Sequence, residues 1–171
     1  MMRVMLLAAA ASLSLGACTY GDTFGGLMVD PMPEERVAYV DLAAASDLFE
    51  IQSSQLALAR SQNPAIREFA QMMVTHHNQT TEQLNASARA AGITPAPRLA
   101  PGQVQMMNRL QQTQPGSFDR LYMEQQVRAH ELALGLHSNY ARAGDTPALR
   151  ATAAAAVPIV SQHLVRARQI R

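Results

Sequence analysis

The chain has no Lys, no Trp and a single Cys, and each scarcity removes a class of function. All 14 basic residues are Arg, scattered among 13 acids, so no basic run exists to follow a nucleic-acid backbone. With Cys18 alone, no disulfide can form within the chain, and the domain must be held by packing. There is no Gly-x-Ser-x-Gly elbow and no glycine-rich phosphate loop opening a helix, which leaves nucleophilic catalysis and nucleotide chemistry without an anchor. Glu-x-x-His, which di-iron bundles place on two helices, does not occur, so a di-iron centre is disfavoured. Aromatics make up only 5% of the residues, whereas Ala, Leu, Gln and Met are plentiful, a balance that favours helix over strand.

The N-terminus reads as a targeting segment. Met1-Met2-Arg3 is a short positive start, and Val4 to Leu15 is an apolar stretch of signal-peptide length, too short to span a bilayer as a helix. Leu15-Gly16-Ala17-Cys18 is arranged like a bacterial lipoprotein signal, with small residues before a Cys that becomes acylated. The alternative is an ordinary secretory signal ending at Ala17. Residues 1–17 are thus expected to be removed, and acyl chains on Cys18 to anchor an exported protein to the cell envelope membrane. Thr19, where an Asp would favour inner-membrane retention, points to the outer membrane facing the periplasm if the cell is Gram-negative. Residues 18–35 hold Gly, Pro and acids without periodicity and read as a tether, although Gly25-Gly26-Leu27-Met28-Val29 is apolar enough to dock.

Residues 36–171 carry the fold. Apolar spacing predicts four long helices: about Arg36 to Arg60, Pro64 to Ala91, Ser117 to Ala143, and Pro147 to the end. Asn63-Pro64 and Gly144-Asp145-Thr146-Pro147 punctuate two hairpins. The segment between Gly92 and Ser117 is broken by Pro and Gly and holds one short helical pattern from Gln103 to Thr113, which suits a crossover between hairpins. Pro158 should kink the last helix. Leu42, Phe49 and Leu56 form a stripe at seven-residue spacing that either enters the bundle or meets a second copy in a homodimer.

Four ionisable residues point into the stripes these helices should bury: Glu50, His77, His130 and His163, one per helix. A buried ionisable group is costly unless it is paired, hydrogen-bonded or bound to a metal. Glu50 lies 14 residues before Pro64 and His77 lies 13 after it, so in a hairpin both stand roughly 20 Å from the turn. His130 and His163, 17 before and 16 after Pro147, are likewise level with each other, roughly 25 Å from theirs. All four fall at mid-height of helices of similar length and can meet.

These residues lie within a broader resemblance. Ala43-Ala44-Ala45-Ser46 leading into Asp47-Leu48-Phe49-Glu50-Ile51, Phe69-Ala70 through Met73-Val74-Thr75-His76-His77, Phe118-Asp119 with Tyr122, Gln126 and His130, and Tyr140, Gly144-Asp145 and Pro158 through His163-Leu164 occur in this order. Together, over residues 37–167, they resemble the bacterial ferritin-like family known as domain of unknown function 4142. The resemblance implies an all-α, ferritin-like four-helix bundle, secreted or membrane-attached, and no established activity. Glu50, His77, His130 and His163 fall on positions that recur in the family's motifs, and His76 stands where an acidic residue is expected.

The leading expectation is a mononuclear transition-metal site with Glu50, His77, His130 and His163 as ligands. Zinc, copper, iron and manganese all suit that set, and Met73 and Met123, on the faces of two site histidines, lean toward copper. Asp47, Gln126 and His137 stand near enough to be helpers or alternative ligands. Metal handling or stress tolerance would be the role. The alternative is an interaction module whose four groups form an inert polar core, and a metal-dependent oxidoreductase is the third. No protein partner is legible.

Overall fold

The computed structural model describes residues 32–170. The expected signal peptide (1–17), the acylation site Cys18 and most of the tether lie outside the described residues. Five helices form α1 (Arg36–Arg60), α2 (Pro64–Ala90), α3 (Pro101–Gln112), α4 (Pro115–Ala143) and α5 (Pro147–Ile170), with no strand among the described residues.

Local chemistry sets the helix ends. The Asn63 side chain accepts from the Ala65 N–H at 3.0 Å, and Pro64 occupies the first helical position. At the far end of α2, Gly92 takes φ 75°, a left-handed conformation that costs glycine nothing. Ile93 N–H then reaches back to the Ala88 carbonyl at 2.9 Å, and Gly92 N–H to that of Arg89 at 3.0 Å, closing a Schellman motif. α5 runs through Pro158 without a break. Pro158 and Ala154 are both exposed, so the lost backbone hydrogen bond falls on the side facing water.

α1 packs on α2 and α4 on α5, and the two hairpins join along α1–α4 and α2–α5. Arg60, at the end of α1, donates to the carbonyls of Leu110, Gln111 and Thr113 and lies over the Phe118 ring near the start of α4. At the opposite end Tyr39 stacks on Tyr140 with centroids 3.8 Å apart. α1 and α4 therefore run antiparallel, and so does every neighbouring pair in the ring α1–α2–α5–α4. A bundle with one long crossover is one of the arrangements found in ferritin-like folds.

The crossover carries α3 across the α1–α4 groove. Phe49, Met106, Met107 and Ala129 form an apolar cluster there, with Leu56 packed against it. The middle of the Leu42–Phe49–Leu56 stripe is thus covered by the chain's own crossover helix. Two larger apolar layers fill the ends of the bundle. One holds Phe69, Met73, Leu110, Phe118 and Met123, and the other Tyr39, Leu84, Leu136, Tyr140 and Leu149. Between them Asp47, Glu50, Ser53, His77, Gln126, His130 and His163 are all buried, a polar layer at mid-height.

Candidate metal centre

Each bundle helix brings its part of the polar layer at helical spacing. α1 carries Asp47 and Glu50 one turn apart, α2 the adjacent His76 and His77, α4 Gln126 and His130 one turn apart, and α5 His163. The rings of His77, His130 and His163 form a nearly equilateral triangle, with centroids 5.7, 5.3 and 5.4 Å apart. One nitrogen of each lies within 4.8 Å of the other two, and all three residues are buried.

Their outer nitrogens are engaged. His77 Nδ1 is 2.8 Å from Asp47 Oδ1, and His130 Nδ1 is 2.8 Å from the Gln126 backbone carbonyl. A carboxylate and a carbonyl can only accept, so both Nδ1 atoms carry a proton, and in the neutral rings both Nε2 atoms keep a lone pair. His163 is held differently: its Nε2 is 2.8 Å from Nδ1 of His76, a partner that can donate or accept. The inner nitrogens, Nε2 of His77, Nε2 of His130 and Nδ1 of His163, are buried with no hydrogen-bond partner. Three bare nitrogens facing one another, each ring fixed from behind, is the donor arrangement metal-binding histidines adopt.

Asp47 is itself anchored, accepting from Thr80 and Thr81 hydroxyls at 3.1 Å each. Glu50 stands beside the triangle and outside the converging group of ligand atoms, with Oε1 3.6 Å from His130 Nδ1, the outer nitrogen. It is 1% exposed and neither oxygen has a hydrogen-bond partner. Burial pushes its carboxyl up to about 7, against the opposing pull of the His77 charge. Burial also holds His130 down to about 3 and His163 down to about 2, with the neighbouring imidazoles adding to it. Burial alone would lower His77 too, but the Asp47 hydrogen bond and the charges of Asp47 and Glu50 outweigh it and raise the group. In the neutral form these imidazoles are ready ligands, and the carboxyl with two bare oxygens fits a cation better than an apolar neighbour.

The remaining residues expected near the site divide. Gln126 serves His130 through its backbone carbonyl, while its amide donates to Ser53 Oγ at 3.1 Å. His137 lies outside the triangle, with Nδ1 3.1 Å from the Tyr39 hydroxyl, and burial pushes it down to about 4. Met73 and Met123 belong to the apolar layer of Phe69 and Phe118. His76, which the resemblance marks only as standing where an acidic residue is expected, joins the site through His163. The available signal was its 100° step from His77, which turns it toward the neighbouring helix α5.

Two cavities flank the layer. One of about 20 Å³, room for a single water, touches Asp47, His77, Thr80 and His137 and reaches exposed Gln83 between α2 and α5. The other, about 40 Å³ and apolar, lies under α3 against Phe49 and Met106.

A family model described as Domain of unknown function (DUF4142) matches residues 29–170. No curated protein matches the sequence. Among solved structures, CopM in the Cu(II)-bound form superposes with a TM-score of 0.65 at 15% identity, covering 79% of this chain and 95% of that one. CopM in the Ag-bound form, obtained by co-crystallization, gives a TM-score of 0.65 at 13% identity, covering 79% and 93%. At such identities the likeness is one of fold.

Proposed function

We propose a metal-handling role for this chain, which belongs to the DUF4142 family. The observation that carries the reading is the triangle of bare inner nitrogens on His77, His130 and His163, each ring fixed at its outer nitrogen. These three would hold one transition-metal ion, with Glu50 as the adjacent carboxylate. Bound there, the ion would supply a charge that the buried Glu50 and Asp47 can meet. Zinc, copper, iron and manganese all accept nitrogen and carboxylate donors. Copper gains support from the neighbours in fold, the Cu(II)-bound and silver-bound forms of CopM. The proposal includes a lipid anchor at Cys18, which would hold the site in the cell envelope.

The test is elemental analysis of protein purified without a histidine tag or chelator, beside a His77→Ala/His130→Ala variant. One metal per chain in the wild type, lost in the variant, is the expected result and names the ion. A metal-free wild type that also refuses zinc, copper, iron and manganese would leave an inert polar core and sink the proposal.

A further inference from the structure

The polar layer is closed on most sides. The apolar layers of Phe69 and Phe118 and of Tyr39 and Tyr140 cap it at both ends of the bundle. α3, through Met106 and Met107, covers the α1–α4 groove beside it. Among the described residues the α2–α5 groove has no such cover, and there His76 is partly exposed, whereas Asp47, Glu50, His77, Gln126, His130 and His163 are all buried.

His76 lies against His163 with ring centroids 5.0 Å apart and planes 22° from parallel. The bond that joins them has neither a charged partner nor a backbone partner. His77 is held by a carboxylate, a charge-assisted partner, and His130 by a backbone carbonyl of its own helix. Parting two neutral imidazoles, with His163 Nε2–H as the donor, frees the lone pair of His76 Nδ1, a metal-binding nitrogen at the mouth of the site. From there His163, with its ring centroid 5.3 Å from that of His77 and 5.4 Å from that of His130, borders both remaining ligands.

We propose that the His76–His163 pair is the port through which a transition-metal ion enters and leaves the three-histidine centre, His76 being the first nitrogen to capture it. The inference rests on the metal-handling reading and deepens it. An ion taking this route exchanges waters for imidazoles step by step and never crosses the apolar layers bare.

The test is stopped-flow loading of the full chain with copper(II), followed by its visible absorption, with electron paramagnetic resonance of the end state. In His76→Gln the amide oxygen can still accept from His163 Nε2–H, so His163 stays oriented while the capturing imidazole is gone. Because a port serves both directions, uptake and release should slow by the same factor. The affinity and the spectrum should stay those of the wild type. Unchanged rates would overturn the port, and faster release with unchanged uptake would reduce His76 to a residue that only orients His163. Gln83→Trp, placed at the mouth of the small cavity, should leave loading unchanged. If it slows loading and His76→Gln does not, the ion enters by the cavity instead. A wild type that takes no copper in its centre would fell the metal reading itself, whereas normal loading in both variants would fell the port alone.

Discussion

The two flanks of this bundle are built to opposite ends. Along α1–α4, the crossover helix lies on the groove and buries Phe49, Met106 and Met107. Along α2–α5, His76 and the ion pair between Glu68 and Arg166, 3.9 Å apart, face water. Packing dominates the first flank and access the second. The polar layer lies between a wall and a doorway, which is how a closed helical bundle can hold a buried site and still exchange its contents.

Changes on the covered flank should cost stability. Phe49→Ala removes a fully buried ring from beneath α3 and should cost about 4 kcal/mol, read from urea unfolding. A loss under about 1 kcal/mol would mean that α3 is not seated as described. His137, hydrogen-bonded to Tyr39 between α4 and α1, gives the same side a pH dependence. Its folded pKa, lowered to about 4 by burial, lies below the unfolded value of about 6.5. The unfolded chain therefore binds the extra proton in that window. Metal-free protein should keep this stability in full above about pH 6.5 and lose about 3 kcal/mol of it on the way down to about 4. His137→Gln should make that part of the profile shallower, His130 and His163 still contributing to it, and an unaltered slope would dismiss the assignment.

Changes that act through the open flank should instead be read in metal. Free ion at about 100 times its dissociation constant should raise stability by about 2.7 kcal/mol, a gain that thermal unfolding would record and that His77→Ala/His130→Ala should abolish. An equal gain in the variant would place the ion elsewhere. The smallest effect belongs to Glu68→Ala, whose partner Arg166 is also solvent-exposed; it should cost no more than about 0.5 kcal/mol. A larger cost would show that the α2–α5 flank is held by charge and is less open than its exposure suggests.

Much of this plan was legible in the chain. Asn63-Pro64 and Pro147 set the two turns, and counting from them put Glu50 level with His77, and His130 with His163. Counting works because rise per residue is constant in a helix. What it cannot supply is rotation about side-chain bonds. Which nitrogen of each histidine faces inward, that Asp47 fixes His77, and that Gln126 serves His130 by its backbone all depend on rotamers. His76 escaped because a wheel ranks residues by distance from an apolar stripe, and its partner lies on another helix. The seating of α3 was equally hidden, since Phe49 would look the same against a second copy as against Met106.

The antiparallel ring α1–α2–α5–α4 has an electrostatic consequence for whatever occupies its middle. At each end of the bundle two positive and two negative helix termini stand side by side and largely cancel. The mid-plane therefore feels almost no field from the backbone, and charge neutrality there has to be met locally. Two buried carboxyls stand in that layer, Asp47 and Glu50. Glu50, whose protonated form burial favours, is the group that can take up or give up a charge as the charge of the occupant changes.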